Sequence, residues 1–280
     1  MSLRIPLAKP ETTRSDEEAV LEVLRSSRLS MGPKLEEFEH AICEYTGSNY
    51  GIAVNSGTSA PQLAIRMLEL ERGAEVLLPS FTFSAPLNVV LGEGLRPRFV
   101  DIDPRTYNSD PEIMAAALSS KSRLILAVHT FGFPVDSESL KHLASQRGVH
   151  LIEDAREALG ALVHGHKVGT LGQAGLYAFY PNKQITTGEG GVRITSEREF
   201  AARARRLRNQ GRDPALDWYD HAEVGFSYRM PDVNCAGNLT AEADRGHDQP
   251  ASAAGVPLRS GNFIDRRCPS SASRRWLWMY

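Results

Sequence analysis

Two residues in this sequence could together run carbonyl–amine chemistry: a carboxylate, Asp154, and a lysine, Lys183. His150-Leu151-Ile152-Glu153-Asp154 reads as a short apolar strand that ends in the carboxylate. Ala174 through Tyr180 reads as a second strand, and it empties into Pro181-Asn182-Lys183. Ligands of open α/β sheets sit at strand ends. A lysine delivered there can form a Schiff base with an aldehyde-bearing pyridine cofactor, while an aspartate pairs with the ring nitrogen and keeps it protonated. A protonated ring draws electrons from a substrate carbon, which is what moving an amino group requires. Gly188-Glu189-Gly190-Gly191 follows as a turn into the strand Val192-Arg193-Ile194-Thr195.

The elements that must position these residues alternate between strand and helix from Tyr50 to Thr195, the pattern of a mostly parallel sheet covered on both faces. Tyr50 to Asn55 is the first strand. Ser56-Gly57-Thr58-Ser59-Ala60 then turns into a helix with Pro61 in its opening turn. Such a turn offers free N–H groups and a positive dipole end to a phosphate. Further strands are predicted at Glu75–Pro79, Arg96–Val100 and Leu124–Val128, and helices at Asp110–Leu118 and Asp136–Arg147. Two helices precede the sheet, Ser15–Ser27 and Lys34–Tyr45, the second with Leu35, Phe38, Ile42 and Tyr45 on one stripe. Glu197 to Asn209 reads as a basic helix whose charges form a solvated face without a role.

The patterns E-D-A-x(2)-A-L-G (Glu153 to Gly160) and F-Y-P-x-K-x(4)-G-E-G-G (Phe179 to Gly191) resemble the sugar aminotransferases of the DegT/DnrJ/EryC1/StrS family. That resemblance implies an α/β fold-type I large domain, aspartate aminotransferase-like, with pyridoxal 5′-phosphate held as a Schiff base on Lys183. Asp154 is then the ring-nitrogen partner, and Gly57, Thr58 and Ser59 the phosphate grip. Phe83 of Ser80-Phe81-Thr82-Phe83 is the stacking aromatic, with Phe81 behind it, and the His129-Thr130-Phe131-Gly132 segment lies near the substrate. Arg229, in Phe226 to Asn234, resembles a segment that reaches the neighbouring subunit's cofactor phosphate, which requires a homodimer. The implied reaction moves an amino group from glutamate to a keto group of a nucleotide-linked deoxysugar. Relatives with histidine in place of the lysine dehydrate the sugar instead. Two alternatives stay open: a cofactor-binding or regulatory descendant without turnover, and a sugar dehydratase.

Two positions depart from the family pattern. Glu157 stands where Gln or His is usual near the cofactor's phenolic oxygen, with Arg156, in place of a usual alanine, as its candidate partner. Ala178 stands where a phosphate-contacting hydroxyl is expected, a loss of about 1.5–3 kcal/mol for one hydrogen bond to a charged group.

The chain's 280 residues, 41% hydrophobic and 24% charged, suit one large domain plus a smaller piece, and the net charge of −2 gives no sign of nucleic acid. Three dispersed cysteines fit neither a disulfide framework nor a zinc cluster, and His164-Gly165-His166 lacks other ligands, so no metal is expected. No leader or membrane-length apolar run is evident, which predicts a cytoplasmic protein. The expected organisation is an N-terminal arm and helices (1–48), a cofactor domain (49–235) and an atypical Gly/Ser/Pro/Arg-rich tail (236–280). The tail, basic through residues such as Arg245, Arg266 and Arg267, reads as poorly ordered. It stands in place of most of the family's small C-terminal domain, as a truncation or frameshift would leave it.

Overall fold

In the computed structural model, residues 8–213 and 220–243 are described, with side chains as far as Gly237. Two helices lead in, α1 (Arg14–Ser26) and α2 (Pro33–Thr46). Thr13, two residues before the expected cap, closes α1 with a capping box: its hydroxyl accepts from Asp16 N–H at 3.3 Å, and its own N–H donates to Asp16 Oδ2 at 2.7 Å. Gly32 gives α2 no side-chain cap. Asp232 supplies one from 200 residues away, accepting from Gly32 N–H at 2.8 Å and Lys34 N–H at 3.0 Å.

The strands are β1 (Tyr50–Val54), β2 (Glu75–Pro79), β3 (Arg96–Val100), β4 (Ser122–Val128), β5 (His150–Asp154), β8 (Ala174–Ala178) and β9 (Gly191–Thr195), with the short pair β6 (Leu162–Val163) and β7 (His166–Lys167) between. The intervening helices are α3 (Ser59–Arg66), α4 (Ser84–Gly92), α5 (Pro111–Ala117) and α6 (Ser137–Arg147). After the last strand come α7 (Arg198–Arg208) and α8 (Asp232–Ala243). The seven long strands form one sheet in the order β1-β9-β8-β5-β4-β2-β3. β9 runs antiparallel to both neighbours, while the other pairings are parallel. The cause is local. A parallel return needs a crossover element, and the loop between β8 and β9 holds none. This is the fold-type I architecture expected from the sequence.

Both faces of the sheet are buried, which is why its strands read as apolar runs. Ile52, Val54, Leu78, Leu126, Ile152 and Leu176 pack toward Leu63 of α3 and Leu207 of α7. On the other face, Ala53, Tyr177 and Val192 meet Phe38 and Ile42 of α2, and Leu77, Ile125 and Leu151 meet Leu140 of α6. Among the described residues, no helix is long and apolar enough to cross a membrane.

Three expectations are corrected. The basic helix is not a solvated face. Arg208 is 3% exposed, donates to Glu39 and also to the Ala53 carbonyl at 2.8 Å, and Arg205 reaches Glu39 Oε2 at 3.2 Å. Glu39 in turn accepts from Ala53 N–H at 2.9 Å, so this cluster ties α7 to α2 and β1. Second, the chain does not lose regular structure at residue 236, because α8 continues to Ala243. Its Gly, Thr and Asn content hid the helix, whose start is fixed by Asp232 against α2. The rest of the tail, and with it the expectation of poor order, lies outside the described residues. Third, α4 had no counterpart in the sequence reading, since its uniformly apolar run gives no stripe.

Arg193 is the unusual core residue. It sits in mid-β9 with 0% exposure, and none of its three guanidinium nitrogens finds an acceptor among the described residues. Among the described residues, the Phe200 ring lies 5.6 Å from the guanidinium carbon. Burial lowers its pKa to about 10 against a small opposing effect of Glu197, so the group stays charged at neutral pH. A buried charge without a partner costs more than a shape-matched apolar side chain. Arg193→Leu is therefore expected to stabilise the protein by about 1–4 kcal/mol. A higher urea midpoint would show it; a lower midpoint would mean that Arg193 makes a favourable contact.

Candidate active site

β5 and β8 lie side by side, with Ile152, Glu153 and Asp154 paired to Ala174, Gly175 and Leu176. Asp154 therefore ends one strand where its neighbour is about to release the Lys183 loop. That loop is held by its own backbone: Lys183 N–H donates to the Tyr180 carbonyl at 2.9 Å and Thr187 N–H to the Phe179 carbonyl at 3.0 Å. Asn234 Nδ2 clamps it from α8, donating to the carbonyls of Thr187 and Glu189 at 2.9 and 3.0 Å.

Lys183 Nζ donates to Glu157 Oε1 at 2.9 Å, and the lysine side chain is largely buried. Glu157 is anchored in turn, its Oε2 accepting from Phe131 N–H at 3.1 Å and its carbonyl from Gln184 Nε2. The carboxylate that departs from the family pattern thus holds the lysine. Its expected partner is corrected as well, because Arg156 binds Asp154. Nε donates to Oδ1 at 2.7 Å and Nη2 to Oδ2 at 2.5 Å, a bidentate bridge. Arg156 Nη1 lies 3.4 Å from the Gly57 carbonyl, so one guanidinium spans the distance from Asp154 to the phosphate turn. Burial pulls the Arg156 pKa down, but the Asp154 carboxylate outweighs it and holds the guanidinium above its ordinary value.

The turn is built by close approach. A Cβ on Gly57 would lie 2.8 Å from the Ala178 Cβ, and one on Gly191 would lie 2.6 Å from the Ser56 carbonyl oxygen. Neither position has room for a side chain without displacement. Ala178, 8% exposed, is thus in contact with the turn even without the expected hydroxyl. Thr58 is exposed and makes no capping bond at the start of α3. Ser59 points the other way. Its hydroxyl donates to Asn55 Oδ1 at 2.7 Å, and its N–H donates to Ser56 Oγ at 3.1 Å. Ser59 therefore braces the turn, leaving Thr58 as the free hydroxyl.

Of the aromatics, Phe83 stands 75% exposed at the cap of α4. Phe81 does not pack behind it but joins Tyr107 and Phe131, with ring centroids 5.5 and 5.9 Å away. In the His129 segment only Phe131 is outward. His129 is fully buried, its Nδ1 accepting from Val135 N–H at 3.1 Å and its Nε2 3.4 Å from Glu153 Oε1. Arg229 is engaged within its own chain, donating to Asn209 Oδ1 at 3.0 Å and Ser227 Oγ at 2.9 Å.

Glu153 lies directly beneath Asp154 and carries a pH prediction. Burial raises its pKa, yet His129, Ser137 and the Gly172 N–H outweigh that and lower it to about 2. Its folded-state pKa is below the unfolded value, so its stabilising effect is fully present above about pH 4.5 and is lost as pH falls toward about 2. Urea midpoints measured at pH 6, 4 and 3 are expected to fall less steeply in Glu153→Gln than in the wild type. The difference is about 2 kcal/mol between pH 6 and pH 3. Parallel slopes would refute the assignment.

The donors match a pyridine aldehyde phosphate in kind: an amine, a carboxylate one guanidinium away from a helix-opening turn, and glycines at 57 and 191 that leave the turn's backbone bare. Both Asp154 oxygens are engaged by Arg156 in this structure.

Comparison with known proteins points the same way. The DegT/DnrJ/EryC1/StrS aminotransferase family matches residues 10–241. GDP-perosamine synthase of Caulobacter vibrioides is 35% identical over 285 residues, spanning 99% of this chain and 76% of its own. Among solved structures, the Helicobacter pylori aminotransferase PseC, involved in pseudoaminic acid biosynthesis, superposes with a TM-score of 0.82 at 28% identity, over 85% of this chain and 65% of its own. Escherichia coli GDP-4-keto-6-deoxy-D-mannose-3-dehydratase, solved with hydrated pyridoxal phosphate, gives 0.82 at 25% identity, over 87% and 68%. Three further curated relatives are spanned over only 60–62% of their lengths. On the match to its motifs and to most of its length, this chain belongs to the DegT/DnrJ/EryC1/StrS aminotransferase family.

Proposed function

We propose that this protein carries pyridoxal 5′-phosphate on Lys183 and transfers the amino group of glutamate to the keto group of a nucleotide-linked deoxysugar. The observation that carries the reading is the lysine itself. Lys183 Nζ is oriented by Glu157 at 2.9 Å on a largely buried side chain, in a loop that starts beside Asp154. Bound there, the cofactor supplies an electron sink for the carbon that loses or gains the amine. Lys183 moves the proton between the two carbons, first as base and then as acid. Glu157 sets the direction of Nζ. Asp154 holds the ring-nitrogen proton, the helix-opening turn at Gly57 and Thr58 receives the phosphate, and Ser59 keeps that turn rigid. Phe83 covers the ring, and Arg229 reaches the phosphate of a second copy in a homodimer.

The cofactor domain in this reading is residues 49–235, fronted by the arm and helices of 1–48. The free thiols of Cys43 and Cys235 suit the cytoplasm. Lysine at position 183 favours amino transfer over dehydration. The discriminating experiment supplies glutamate and GDP- or dTDP-linked 4-keto-6-deoxyhexoses to the loaded protein. 2-Oxoglutarate and an aminosugar in equal amounts are expected. A deoxygenated keto sugar with release of ammonia and no aminosugar would replace this reading with a dehydratase, and a cofactor complex without turnover would replace it with a binding protein.

A further inference from the structure

We propose that Arg156 is a latch on the cofactor site, which gives up Asp154 and moves to Glu157 when the cofactor is loaded. The proposal rests on the reading of this site as a pyridoxal phosphate site and concerns how that site is filled. Both Asp154 oxygens are engaged by Arg156, at 2.7 and 2.5 Å, and Asp154 is 4% exposed. A ring nitrogen approaching this carboxylate competes with the guanidinium for it. The displaced Arg156 is itself 9% exposed and needs another anion.

Glu157 is that anion. It is the next residue along the chain, and its charge already acts on Arg156. In the resting protein its Oε1 is engaged by Lys183 Nζ at 2.9 Å. Loading would remove that engagement: the lysine nitrogen bonds to the aldehyde carbon, two of its protons leave with the aldehyde oxygen as water, the third is released to the ring nitrogen or to solvent, and the ammonium is consumed. Two ion pairs, Arg156–Asp154 and Lys183–Glu157, thus become an Arg156–Glu157 pair with Asp154 facing the ring nitrogen. Each carboxylate has a cation in both states. The exchange explains why Arg and Glu occur side by side at two departures from the family pattern. An arginine here without the glutamate would have no second partner, and Arg156 is a positioning residue acting through Asp154.

The test is titration of the apoprotein with pyridoxal phosphate, read both as the dissociation constant from the visible band and as the rise in melting temperature at saturation. Arg156→Ala frees Asp154, so it is expected to bind at least about tenfold more tightly, the equivalent of about 1.4 kcal/mol. Its apoprotein is expected to melt lower than the wild type, with a larger rise on loading. Arg156→Lys keeps the charge without the fork, folds as the wild type does, and is expected to fall between the two. Glu157→Gln is expected to weaken binding in the wild type but not in the Arg156→Ala background, a non-additivity that a purely structural role would not give. Equal or weaker binding by both Arg156 variants would overturn the latch while leaving the cofactor reading intact. Absence of any band or melting shift in all variants, wild type included, would overturn the cofactor reading and the latch with it.

Discussion

Lys183→Ala is expected to abolish amino transfer, by at least about 10⁴-fold, while leaving the fold standing. The size follows from the two tasks proposed for the lysine, covalent attachment of the cofactor and movement of the proton, of which the second alone is worth about 10²–10⁴-fold. The preserved fold follows from its partner. Glu157 loses one of two hydrogen-bonded oxygens, but its side chain is 41% exposed, so water can replace the ammonium. An ion pair open to solvent on one side, as this one is at Glu157, contributes about 1 kcal/mol. Absorption spectra with pyridoxal phosphate, assays of 2-oxoglutarate release, and urea unfolding of the same preparation separate the two effects. The expected outcome is no visible Schiff-base band and no product at an unchanged urea midpoint. Retained turnover would remove Lys183 from the mechanism. A collapsed midpoint would make the lysine a structural residue.

The strands, the lysine loop and the phosphate turn were legible in the sequence because each is a local signal. Apolar runs such as Leu124 to Val128 and Leu151 to Ile152 mark strands buried on both faces, and Ser56 to Ala60 marks a strand-to-helix turn. Strand order was not legible, since it depends on the pairing of segments far apart in the chain, whereas the reversed direction of β9 follows from a β8–β9 loop that holds no crossover element. The partners of charged residues were hidden for the same reason. Arg205 and Arg208 read as surface charges from their own helix, and only the arrival of α2 with Glu39 pairs both and buries Arg208. That the Ser59 hydroxyl is taken up by Asn55 while Thr58 stays exposed was not legible until the side chain of Asn55 was placed. Asp232 looked like the end of a motif, yet it caps α2 across 200 residues and starts a helix that the composition after Gly237 conceals.

Asp154→Asn separates the two duties of this carboxylate, and its effect is expected to be large on both. Asparagine has no charge with which to hold a ring-nitrogen proton. Losing one aimed electrostatic partner in a buried site lowers the rate of the chemical step by about 10²–10³-fold. The substitution also leaves the Arg156 guanidinium buried without its anion. Removing one member of a buried pair costs about 3–5 kcal/mol, far more than the pair contributes against apolar replacements. The urea midpoint of the apoprotein is therefore expected to fall sharply in Asp154→Asn. Arg156→Ala is expected to fall as well, because Asp154 is then the unpaired charge. The double variant has neither charge and is expected to regain most of the lost stability, as coupled neighbours do. It is not expected to regain activity, because the ring nitrogen still has no anion. Additive stability losses would mean that the two groups do not depend on each other in solution. Recovery of turnover together with stability would mean that Asp154 serves only to neutralise Arg156.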